Sequence, residues 1–120
     1  MNAKSTTHAH TASNARSLIA CLNDAFRQMP VDGRLMVTAG VIALGNGAVS
    51  DILLAVTSFD AFTPDNDPYG EHDFGAVEWN GARIFWKIDC YDRTMRFGSP
   101  DPADPSVTTR VLTIMLASEY

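Results

Sequence analysis

Residues Phe62–Gly75, FTPDNDPYGEHDFG, gather Asp65, Asp67, Glu71 and Asp73 around His72 without one lysine or arginine. Carboxylates beside an imidazole can hold a divalent cation, run acid–base chemistry, or meet a basic partner. The same residue types also build tight loops. Asp and Asn side chains accept bonds from nearby backbone amides, and Pro fixes φ.

Each chemistry makes its own demand on spacing. Asp65, Asp67 and Gly70 stand at positions one, three and six of a calcium-type loop, but Tyr69 occupies position five and Ala76 the bidentate glutamate position. That match fails, and no metal is assigned. A looser ligand set would draw Asp67, Glu71 or His72 together with Asp89 or Asp92. Acid–base catalysis would use His72 oriented by Asp89, with Lys87 stabilising an anion. Ser58, Thr63 and Ser99 lie outside any nucleophile motif, and Cys90 should point away from Asp89. GNG at 45–47 is no phosphate-binding loop, so no cofactor is expected. A recognition surface would use Asp65, Asn66, Asp67, Tyr69, Glu71, His72, Lys87, Asp89 and Asp92, with Tyr69, Tyr91 and Phe97 as aromatic anchors.

A hairpin should position this set. Two strand-like runs, at about 72–79 and 82–90, flank Asn80-Gly81, the preferred pair for a two-residue type I′ turn. That turn sets Glu78 opposite Arg83, Val77 opposite Ile84 and Gly75 opposite Trp86. Continued outward, the register sets Asp73 opposite Ile88 and His72 opposite Asp89. Val77, Trp79, Ile84, Trp86 and Ile88 then form a core face, with Trp86 covering the bare Gly75. His72, Lys87 and Asp89 fall on the polar face.

Upstream, residues 1–12 read as a mobile arm in which His8 and His10 are incidental. A helix from Ser13, capped there and stopped by Pro30, presents Leu18, Ile19, Leu22, Phe26 and Met29 as a core stripe. RLMVT reads as a short buried strand and AGVIALGNG as a tight connection. A second helix, starting near Asn46 or Gly47, buries Val49, Ile52, Leu53 and Val56. Downstream, GSPDPADPS is a proline-stiffened loop in which Asp101 and Asp104 suit turns. The segment 107–118 fits a strand or a helix, and its β-branched content favours the strand.

Composition excludes several function classes. Residues 1–58 carry four basic and three acidic side chains and residues 59–120 five and eleven, giving +1 and −6 within the net −5. An acidic second half does not suit the nucleic-acid backbone, which is bound by Lys and Arg. No apolar run reaches the roughly 18 residues of a membrane span, and no signal-peptide pattern opens the chain. Cys21 and Cys90, far apart and outside any CxxC pair, read as reduced thiols. The chain reads as cytoplasmic.

The segments FTPDNDPYGEHDFG, RIFWKIDCYD, GSPDPADP and TRVLTIMLASEY, in that order, resemble the bacterial family catalogued as domain of unknown function 3768. The resemblance runs from about Ser13 to Tyr120. Cys90 departs from it, standing where the family carries tyrosine, which weighs against a family-wide thiol nucleophile. The resemblance implies small proteins of alphaproteobacterial genomes and plasmids, and an accessory role on mobile DNA. It implies no activity.

Residues 13–120 are therefore expected to form a single α+β domain, with two or three helices on a short, mainly antiparallel sheet. The expected function is that of an accessory or inhibitory domain recognising a protein with a basic surface; the alternative is a small metal-assisted or His/Asp-based hydrolase.

Overall fold

The computed structural model describes the backbone of residues 3–120 and the side chains of residues 14–120. Its elements run α1 (Ala3–Gln28), β1 (Arg34–Val37), α2 (Ala39–Ile42), α3 (Ala48–Thr57), β2 (Phe74–Trp79), β3 (Ala82–Tyr91) and β4 (Thr109–Leu116). The expected α+β domain forms. Its four strands lie in the order β1-β4-β3-β2, with β1 parallel to β4 and both remaining pairs antiparallel. The arm expected over 1–12, with His8 and His10, falls on residues whose side chains lie outside this description. The helix expected from Ser13 begins earlier, so Ser13 is not its cap.

The β2–β3 hairpin forms in the expected register, from Trp79↔Ala82 through Val77↔Ile84 to Phe74↔Lys87. Asn80 and Gly81 both take positive φ, 47° and 82°, as a type I′ turn requires. A Cβ on Gly75 would lie 2.5–2.7 Å from the Trp86 indole, so only glycine leaves room for that ring. Segment 107–118 is a strand over Thr109–Leu116, the inner partner of both β3 and β1.

Ile84, Trp86, Ile88, Leu112 and Ile114 of β3 and β4 pack with Phe26, Val41, Ala48, Ile52 and Val56 into one core. α3 delivers its expected stripe: Ile52 and Val56 are buried, with Val49 and Leu53 half-buried. α1 does so only in part: Phe26 is buried and Ile19 and Leu22 are half-buried, but Leu18 and Met29 are 47% and 67% exposed, and α1 buries Ala20, Asn23 and Arg27 beside Phe26. A helix turning its polar Asn23 and Arg27 inward follows from the bonding needs of the loops beneath it. β1 is also not a buried strand, because it is an edge: Leu35 and Met36 are 39% and 54% exposed. The connection after β1 winds into one helical turn, capped where the Thr38 hydroxyl accepts the Val41 amide.

Candidate functional site

The hairpin ladder ends at Phe74, two residues short of His72. The last strand-like contact is the Ile88 amide donating to the Asp73 carbonyl at 2.8 Å. His72 then takes φ 55°, a left-handed turn that lifts it off the strand. Its expected pairing with Asp89 is not made. Its ring instead lies flat on Phe62, with centroids 3.8 Å apart and planes within 1°. His72 Nδ1 sits 2.9 Å from both carboxylate oxygens of Asp24, on α1. A carboxylate only accepts, so Nδ1 carries the hydrogen. Nε2 faces Asp67 at 3.6 Å.

Asp24 also ties the ring to the core. Its Oδ1 accepts from Arg27 Nη1 at 3.0 Å. The buried Arg27 donates through Nε to the Val56 carbonyl and through Nη2 to the Phe59 carbonyl. The guanidinium lies over Trp86 and Phe62, at 4.9 and 5.3 Å from their ring centroids. One fork thus satisfies the end of α3 and the start of the acidic loop. Asn23, one turn before Arg27, donates to the Glu71 carbonyl at 2.9 Å. The loop is clamped to α1.

Within the loop, side chains close the turns. Asn66 accepts the Thr63 amide at 2.8 Å and donates to the Ala61 carbonyl at 2.9 Å. Asp67 is buried and accepts the amides of Glu71 and His72 at 3.2 and 3.3 Å. Asn66 and Asp67 are therefore architecture. What remains outward is Asp65, Tyr69 (68% exposed), Asp73 and the half-buried Glu71. Phe62, Pro64, Asp67, Tyr69 and His72 border a shallow concavity of about 390 Å³. Burial pushes the Glu71 carboxyl above its ordinary value and the Asp73 charge pushes it further; Arg16 offsets part of this, and Asp67 adds a smaller rise. Asp73 is raised by desolvation first, then by Asp67 and Asp89, although its side chain still reaches water.

The other expected site residues lie elsewhere. By strand alternation Lys87 and Asp89 project from the sheet face opposite Trp86 and Ile88. Lys87 Nζ pairs with Asp89 at 2.9 Å, and the bond to Asp89 raises the Lys87 pKa. Asp92 caps the turn after β3, accepting from the Thr94 amide and hydroxyl and the Arg96 amide. Those bonds, the Thr94 hydroxyl first, lower its pKa. The nine expected binding residues thus divide between a loop on the helix side, an ion pair on the open face and a turn beyond β3.

Nucleophile chemistry finds little to use. Ser58 bonds the Leu54 carbonyl, Ser99 the Thr108 hydroxyl, and Thr63 accepts the Asn66 amide. Burial pushes the Cys90 thiol up, against a smaller opposing effect of Arg110. Cys21 and Cys90 are free thiols. Among the described residues no three His, Cys, Asp or Glu side chains converge as metal ligands. No described helix is long and apolar enough to cross a membrane.

Sequence reasoning missed Asp24, Arg27 and Asn23. The available signal was polar residues at i, i+1 and i+4 on a helix whose apolar stripe was incomplete.

Fold and site together define an α+β domain with an acidic loop hydrogen-bonded to its first helix. The chain belongs to the family described as Protein of unknown function (DUF3768), whose model matches residues 37–119. The match covers the acidic loop, the hairpin and β4, and leaves Asn23, Asp24 and Arg27 upstream of it. Neither the curated proteins nor the solved structures gave a match to the chain.

Proposed function

We propose that this protein is a cytoplasmic macromolecule-binding accessory domain that presents its acidic loop to a protein with a basic surface. One observation carries the reading. The loop is ordered by its own side chains and by α1, yet it leaves Tyr69 exposed beside Asp65, Glu71 and Asp73. Order before binding lowers the entropic cost of association. An exposed tyrosine on an ordered loop suits an anchor, and a cation beside Glu71 and Asp73 would offset the carboxylate repulsion that adds to burial in raising both pKa values. Inhibition would follow where the partner's basic surface is its working surface. The resemblance that implies plasmids and mobile DNA makes such a partner a component of that machinery.

The hydrolase reading loses its His72–Asp89 pair, because both His72 nitrogens face other carboxylates. A titration followed by NMR with a lysine-rich peptide tests the proposal. Saturable shifts centred on the amides of Asp65–Asp73 support it. Shifts spread equally over Asp101, Asp104 and the loop count against it.

A further inference from the structure

On the other side of α1 lies a groove of about 460 Å³, within the size range of small-molecule sites. Leu22, Phe26 and Met29 form its apolar wall, and Arg93, Arg110 and Asp32 supply its charges. Met29 is 67% exposed and Val31, at the rim, 60%, so apolar surface is left open there.

The two guanidiniums carry the argument. Arg110 is only 6% exposed, yet its bonds go to neutral acceptors. Nε donates to the Asn23 side-chain carbonyl at 2.7 Å and Nη2 to the Pro102 carbonyl at 2.6 Å. Arg93 is fixed in the same way, Nε on the Ser106 carbonyl and Nη2 on the Pro105 carbonyl. Neither forms an ion pair among the described residues. Arg110 Nη1 makes no hydrogen bond among the described residues. A buried cation normally has a counter-charge, and an oriented guanidinium fork matches a carboxylate or phosphate.

We propose that this groove binds a small apolar monocarboxylate. The acid group lies between Arg93 and Arg110, and the hydrocarbon lies along Leu22, Phe26 and Met29. Asp32 decides the charge of the ligand. Two arginines and one aspartate leave a lining of net +1, which suits a monoanion better than a dianionic phosphate on a chain of net −5.

The test is NMR titration of the full chain with octanoate, reading the Nε–H resonances of Arg93 and Arg110 and the Met29 methyl. All three should move with one saturation curve. Octan-1-ol and octyl phosphate should each bind about tenfold more weakly, as should octanoate to Arg93→Gln, whose change lies on an exposed loop. Absence of saturation overturns the proposal. So does octan-1-ol binding as tightly as octanoate, octyl phosphate binding more tightly, or an Arg93→Gln curve identical to wild type.

Discussion

Asp24 holds His72 at 2.9 Å although 48 residues separate them in the chain. This bond, more than the hairpin, places the acidic loop. It joins the loop's last turn to α1, and through Arg27 to the C-terminal end of α3 and the chain leading into the loop.

The partner of His72 is open to a direct test. In Asp24→Asn the ¹⁵N resonance of His72 Nδ1 should move markedly, because its charged acceptor is gone. In Asp89→Asn it should stay in place, since Asp89 bonds Lys87 on the other face. The reverse pattern would restore the cross-strand pair.

Arg27 should be among the costliest residues to replace. Arg27→Met keeps the stem but strands the Phe59 carbonyl, leaves the Val56 carbonyl with the Phe59 amide alone, and removes the charge facing Asp24. Urea unfolding should show a loss of about 3 kcal/mol or more. Arg27→Lys should recover only part of it, because one ammonium cannot reach both carbonyls with the geometry of the fork.

Glu71 and Asp73 should give the opposite sign. Each holds its proton more tightly folded than unfolded, so stability falls as pH rises from the ordinary carboxylate range through the raised folded values. Near pH 7 the double variant Glu71→Gln/Asp73→Asn should be more stable by a few tenths of a kcal/mol, discounted for solvent screening, or about 2 °C in Tm. Near pH 3 the difference should vanish, because both carboxyls are then protonated in either state. Thermal melts at the two pH values decide it.

Local chemistry made the hairpin legible. Asn80-Gly81 determined the turn, two-residue alternation determined the faces, and Gly75 opposite Trp86 confirmed the register. The error began where that logic was carried past its end. Nothing in the alternation announces that His72 takes a left-handed φ, because the cause is Asp67 gathering two amides and Asp24 waiting on α1. The stripe on α1 held at Phe26 but failed at Leu18 and Met29 for a related reason. Periodicity ranks Leu18 and Met29 above Asn23 and Arg27, yet unsatisfied loop carbonyls need donors, and a buried polar group is worth more there than another methyl. β1 was legible as a strand but not as an edge, since edge position depends on which strand β4 meets.

The recognition surface itself is tested most directly by comparing capture by wild-type protein with capture by Tyr69→Ala/Asp65→Lys. Both positions are solvent-exposed, and neither side chain is among the bonds that close the loop. The variant should therefore melt within about 2 °C of wild type. A cell extract passed over each immobilised protein should yield a basic partner on wild type that is absent from the variant. Added salt should release it, because charges separated by more than roughly 8 Å are screened at physiological ionic strength. A folded variant that retains the same proteins in the same amounts would contradict the account and leave the acidic loop as architecture alone.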